Sequence, residues 1–107
     1  MAGFDDRERA HEAKFAHDQE LKFKAEARRN KLLGLWAAEK LGKTGTDAEA
    51  YAREVIAADF EESGDEDVFR KVKSDFDAGS VDVSEADIRE KMLELLALAG
   101  EQVSKEG

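Results

Sequence analysis

Three stretches carry residues whose type and order approach reactive or ligand-binding motifs. Ala37 to Thr44 reads A-A-E-K-L-G-K-T, close to the loop that cradles nucleotide phosphates between a strand and a helix. Ala37 stands where the first glycine belongs, no strand precedes it, and Gly42 falls where a helix ends. A helix C-cap is the better reading of that glycine. It leaves Lys40, Lys43 and Arg89 as candidates for a weak nucleotide contact, with no cofactor required. Asp75-Phe76-Asp77-Ala78-Gly79 through Asp82 hints at a calcium loop. Ser80 occupies the position that demands glycine, however, and Ala86 the position of the bidentate glutamate. An acidic interhelix loop is expected instead. His11-Glu12 opens like a zinc motif, but His17 comes six residues later and faces elsewhere on a helix, so no metal site is expected. The two histidines read as solvated side chains, with pH sensing as the alternative role. No nucleophile is paired with a base and no carboxylate pair can be given a pocket. The residues do not describe an enzyme.

The elements that could position any site must fit within 107 residues, room for one domain with a modest core. Apolar residues make up 41% and charged residues 40% of the chain, too apolar for outright disorder and unusually charged for a compact enzyme. Cysteine is absent, which removes disulfides and thiolate metal sites. No run approaches the roughly 20 apolar residues that span a bilayer. Met1 to Arg9 carries acids and arginines where a signal peptide would be apolar, so a soluble, cytoplasmic chain is expected. The net charge of −9 is uneven: residues 1–31 hold eight Lys/Arg and seven Asp/Glu, residues 32–107 nine and nineteen. An acidic body with a near-neutral leading segment disfavours nucleic acid or anionic lipid as a partner, since both demand a concentrated positive face. A protein partner remains.

With no proline anywhere, glycines punctuate the chain. Gly42, Gly45, Gly64 and Gly79 each follow a helix-period stretch, where a left-handed C-cap is wanted. Thr46-Asp47-Ala48-Glu49 reads as a capping box, followed by an apolar stripe of Ala48, Tyr51, Ala52, Val55, Ile56 and Phe60 at helical spacing. Asp65 is expected to cap the next helix, with Val68, Phe69, Val72 and Phe76 as its stripe. Ser84 caps the last, which carries Ile88, Met92, Leu95, Leu96, Ala99 and Val103 on one face. No segment alternates with period two. The fold expected is all-α: a four-helix antiparallel bundle with helices near 19–41, 47–62, 66–78 and 85–104, preceded by an arm over 1–18.

The arm follows from length. Asp5 to Leu41 holds a single glycine, Gly34, and abundant Ala, Glu, Lys and Arg, with i,i+4 charge pairs at Asp5–Arg9, Asp18–Lys22, Glu20–Lys24 and Lys22–Glu26. Such a helix would be about 55 Å long, against about 22 Å for each of three partners of about 15 residues. The dense apolar part, Leu32, Leu33, Leu35, Trp36 and Leu41, belongs inside the bundle, with Phe23 a further candidate. Residues before about Asp18 are left without a core, and an isolated helix of that length is marginal in water, so the arm is expected to fray when free. Phe4, His11 and Phe15 share one side of it, and Asp5 with Glu8 can form a capping box. Two classes of function stand level on these grounds: a helical adaptor that docks the arm on another protein, and a small acidic bundle that binds a ligand.

The chain also resembles a known family. Phe4-Asp5-Asp6-Arg7-Glu8-Arg9-Ala10, continuing through Glu12, Lys14, Phe15 and His17, is similar to the start of the zeta inhibitor subunits of alpha-proteobacterial F-type ATP synthases. The run from Phe23 through Lys31-Leu32-Leu33-Gly34-Leu35-Trp36 to Gly42 resembles that family still more distinctively. Asp59-Phe60-Glu61-Glu62, Gly64-Asp65-Glu66-Asp67-Val68 and Val81-Asp82-Val83-Ser84 continue the likeness over essentially the whole chain. The spacing Phe4-x-x-Arg7-Glu8-x-Ala10-x-Glu12-x-x-Phe15 is in addition similar to the inhibitory segment of the mitochondrial ATPase inhibitor protein. The resemblance implies an inhibitor of ATP hydrolysis whose arm lodges between α and β subunits of the catalytic head and reaches toward the central-stalk γ subunit. Phe4 and Phe15 would be hydrophobic anchors. Arg7, Glu8, Arg9 and Glu12 would pair with head subunits, and Ala10 would allow close approach. It implies a place in the cytoplasm, peripheral to the inner membrane through the synthase. The mitochondrial protein's coiled-coil dimer is not expected, because the bundle consumes its own apolar faces. The alternatives are an arm docked on a different protein and a nucleotide- or ligand-binding bundle.

Overall fold

The computed structural model describes the backbone of residues 2–59 and 65–106, and the side chains of residues 19–59 and 65–106. Its helices are α1 (Ala2–Lys40), α2 (Gly45–Ala58), α3 (Glu66–Ala78) and α4 (Glu85–Glu106). The α1 helix packs along both α2 and α4, while α3 closes the far side between them. Phe60, Gly64 and the last expected turn of α2 lie outside the described residues.

The apolar stripes assemble the core as their spacing predicts. Leu33 and Ala37 of α1, Val55 of α2, Val68, Val72 and Phe76 of α3, and Ile88 of α4 are fully buried in one cluster. Trp36 and Leu41 lie half-buried against it. The Trp36 ring meets that of Phe76 edge-on, 5.6 Å between centroids, a favoured aromatic geometry. At Gly34 the absence of a side chain lets α2 approach closely: a Cβ there would stand 2.5 Å from the Ala52 Cα.

Helix ends show where local chemistry wins and where tertiary packing overrides it. Gly42 takes φ +78°. Its amide donates to the Glu39 carbonyl while that of Lys43 donates to Ala38, the paired bonds of a Schellman cap. The same pair closes α3, from Ser80 to Asp77 and from Val81 to Phe76. Here Ser80, and not Gly79, adopts the left-handed φ of +57°. At Gly79 an added Cβ would stand 2.9 Å from Leu41 Cδ2, a side-chain tip that can move aside. Ser84 caps α4 as expected, its Oγ accepting from the Asp87 amide at 3.1 Å. The capping box at Thr46 and Glu49 does not form. The α2 helix begins two residues earlier, at Gly45, with Thr44 as N-cap and no side-chain bond to it; Gly45 supplies the left-handed φ of +56° there. Asp65 stands at the N-cap of α3 but makes no capping bond; a buried arginine claims its carboxylate.

Helix lengths also differ from expectation. The α2 and α3 helices have 14 and 13 residues, but α4 has 22, about 33 Å, against about 58 Å for the 39 residues of α1. The longer α4 covers more of α1 than three equal helices would. The molecule measures 66 × 25 × 21 Å, so α1 still outruns its cover.

Candidate functional site: the leading half of the first helix and its root

Among the described side chains of α1, which start at Gln19, burial begins at Ala25 and continues through Arg29, Asn30, Leu33, Ala37 and Ala38. Before it, Gln19, Glu20, Lys22, Phe23 and Lys24 are exposed and Leu21 is half-buried. Phe23, expected as a candidate for the core, is 66% exposed. It lies two residues from Ala25, and at 100° per residue that puts it on nearly the opposite side of the helix. The backbone positions of Phe4, Arg7, Glu8, Arg9, Ala10, Glu12 and Phe15 all fall on the helical stretch ahead of that boundary. Their side chains, and those of His11 and His17, lie outside the described residues. The same holds for the expected pairs Asp5–Arg9 and Asp18–Lys22. Glu20 and Lys24 pair at 3.3 Å, whereas no ion pair joins Lys22 to Glu26.

Where α1 enters the bundle, two consecutive arginines hold it. Arg28 lies across the end of α4: one guanidinium nitrogen donates to Gln102 Oε1 at 3.0 Å, the other to Glu106 at 2.9 Å. Arg29 faces inward and is 1% exposed. Its Nε donates to Asn30 Oδ1 and its Nη2 to Asp65 Oδ1, both at 2.7 Å. A buried guanidinium is tolerated only with such partners, and stripping one away is costly. The α1 helix is thereby tied to α4 by Arg28 and to the N-terminus of α3 by Arg29. Neither tie is announced locally: A-E-A-R-R-N-K reads as a solvated run, and Asp65 lies 36 residues away. The one available signal is the i,i+4 series Ala25, Arg29, Leu33, Ala37, which continues the core stripe backwards through an arginine.

Elsewhere several charges are committed to structure. Arg89 lies over the Phe69 ring, 3.9 Å from its centroid, and donates to both Glu66 oxygens at 3.1 and 3.2 Å. That hydrogen-bonded guanidinium holds the Glu66 carboxyl below the usual carboxylate range. The Tyr51 hydroxyl donates to Asp75 Oδ2 at 2.8 Å, and Lys71 reaches the same oxygen at 3.1 Å. Burial, then the bond to Asp75, push the phenol far above its ordinary value. Asp77 is engaged by Lys73 at 2.7 Å, so Asp75 and Asp77 of the supposed calcium loop bind lysines and a tyrosine. Among the described residues no group of three or more His, Asp or Glu could hold a metal.

The three nucleotide candidates do not converge. Lys40 lines a cleft of about 410 Å³ beside Trp36, Asp82, Asp87, Glu90, Lys91 and Glu94, where carboxylates outnumber amines and would repel phosphate. Lys43 lies 6.0 Å from the Tyr51 ring centroid, and Arg89 lines a different cleft with Arg29 and Asp65. Among the described residues no helix is long and apolar enough to cross a membrane.

These features define a class: a small all-α bundle in which one long helix is packed against three shorter ones, with burial among its described side chains starting at Ala25. Comparison with known proteins gives the class its identity. The family model described as ATPase inhibitor subunit zeta matches residues 1–102, and the chain belongs to that family. It is an inhibitor of the F1Fo-ATP synthase and not an enzyme. A chain whose structure was solved by NMR in solution is 55% identical, covers 81% of this chain and 99% of its own length, and superimposes with a TM-score of 0.72. No curated protein sequence matches.

Proposed function

We propose that residues 1–18 are the inhibitory arm, and that it blocks ATP hydrolysis by entering an interface between an α and a β subunit of the catalytic head. One observation supports this reading: α1 is 39 residues long, and among its described side chains burial starts only at Ala25. A helix ahead of that point has to find its apolar cover in another molecule, and a family of inhibitors supplies the target. Phe4 and Phe15 anchor the arm, Arg7, Glu8, Arg9 and Glu12 pair with polar groups of the groove, and Ala10 lets the backbone approach. Burying two phenylalanines is worth roughly 3–6 kcal/mol. Ordering the arm costs a comparable 2–5 kcal/mol or more. The charged contacts therefore supply the net affinity, and the groove must be polar as well as apolar.

The wedged helix acts sterically, holding the interface against the opening that hydrolysis requires and reaching toward the γ subunit. Rotation in the direction of synthesis expels it, which makes the block one-directional. The chain acts as a monomer whose bundle faces are already spent on its own core. It lies on the cytoplasmic side of the inner membrane through its hold on the synthase. Phe4→Ala and Phe15→Ala, assayed as full-length inhibitors of ATP hydrolysis by the isolated catalytic head, are each expected to lose about 10- to 100-fold in potency, at 1.4 kcal/mol per factor of ten. Undiminished potency in both overturns the assignment.

A further inference from the structure

The first turns of α1 inside the bundle are held without large apolar side chains. Between Ala25 and Asn30 the buried residues are Ala25, Arg29 and Asn30, and no large apolar side chain of α1 is buried before Leu33. Polar ties must hold this stretch instead. Among the described residues, Arg28 is the first side chain of α1 to bond another helix. Ahead of it the Glu20–Lys24 pair stays within α1, with both partners exposed, and adds little. Arg28 spans two acceptors near the end of α4, Gln102 at 3.0 Å and Glu106 at 2.9 Å. Both Glu106 oxygens lie at that distance from its Nη2. A guanidinium's planar fork suits two acceptors. The place also favours a cation, because α4 ends at Glu106 and its last carbonyls form the negative pole of the helix dipole.

We propose that Arg28 is a positioning residue for inhibition: by clamping the root of α1 to the end of α4, it keeps the turns ahead of it helical. This role rests on residues 1–18 being the inhibitory arm, and adds the means by which the bundle prepares it. Starting a helix is unfavourable because several residues are fixed for one hydrogen bond, whereas extending a helix fixes one residue per bond. An arm that grows from a held root needs only extension as it enters its groove. An arm on a loose root must order residues 19–27 as well, and its affinity falls with the fraction of time that root is formed. A root formed about 10–30% of the time weakens inhibition about three- to tenfold. Arg28 needs no contact with the partner for this, since it acts through the backbone of α1. The clamp is partly exposed, 30% at Arg28 and 58% at Glu106, so its loss hardly alters the stability of the body.

The test uses full-length chains, reading inhibition of ATP hydrolysis by the isolated catalytic head and amide exchange of the free chains. Arg28→Ala should weaken inhibition about three- to tenfold, speed exchange over residues 19–27 and leave the thermal melt nearly unchanged. The double variant Gln102→Ala/Glu106→Ala, which alters only the far side of the clamp, should do the same. Added to Arg28→Ala, it should cause no further loss. An Arg28→Ala chain of full potency, alongside weakened Phe4→Ala and Phe15→Ala, overturns the positioning role and leaves the arm standing. Loss in Arg28→Ala with full potency in Gln102→Ala/Glu106→Ala also overturns it, since the arginine would then touch the partner itself. Undiminished potency in both Phe4→Ala and Phe15→Ala removes the arm, and the positioning role with it.

Discussion

Gly34→Ala is a sensitive probe of how the bundle is closed. In an exposed helix this change gains about 1 kcal/mol, since alanine is the better helix former. Here the added methyl would stand 2.5 Å from the Ala52 Cα and 3.1 Å from its Cβ. Ordinary contact needs about 3.5–4 Å between carbons, so α1 and α2 must separate by roughly an ångström where they cross. The obstacle is backbone, which cannot swing aside as a side-chain tip would. Overpacking of this kind costs typically 1–3 kcal/mol, occasionally more. The separation also lifts Leu33 and Ala37 from Val55, all three fully buried. Set against the propensity gain, a net loss of up to about 2 kcal/mol follows, seen as a melting temperature lower by up to about 15 °C. Circular dichroism melts and urea titrations of the two full-length chains measure it directly. A Gly34→Ala chain more stable than the parent by the full propensity gain would refute the reasoning, since it would mean that the two helices do not touch there.

Two further predictions concern stability. Ser80→Gly places glycine at the left-handed position of the α3 cap and should stabilise the chain by about 0.5–1 kcal/mol; an unchanged or lower urea midpoint speaks against that cap. Tyr51→Phe tests the raised phenol. The folded chain binds the Tyr51 proton more tightly than the unfolded chain does. Its contribution is therefore complete below about pH 10 and is lost as pH climbs beyond that unfolded value. Urea titrations between about pH 8 and 11 should show the parent losing more stability than the phenylalanine variant; parallel curves would deny the shift.

The fold was legible where local pattern and burial agree. The stripes of α3 and α4 follow helical spacing and are buried or half-buried throughout, and the Schellman close at Gly42 needs nothing beyond its own turn. Legibility failed where a distant residue decided the outcome. Arg29 looks like surface until Asp65 arrives from another helix, and the same bond takes Asp65 from the cap its position suggests. Gly79 looks like a left-handed cap, whereas Ser80 takes the left-handed φ one residue later. Hydrophobicity suggests Phe23 for the core, but it lies nearly opposite Ala25, where burial among the described side chains of α1 begins. The candidate arm was legible only as an excess of helix length, and the longer α4 reduces that excess without removing it. Its particular residues, Phe4 through Phe15, were indicated by family resemblance, since nothing in a periodic charged helix names the groove it fits.

The central claim is that inhibition resides in the leading segment and folding in the body. Deleting residues 1–18 tests both halves in one preparation, by a thermal melt and by titration against the ATP hydrolysis of the catalytic head. The truncated chain is expected to melt at nearly the temperature of the full chain and to give no inhibition. A truncated chain that still inhibits, or that melts well below its parent, would contradict it.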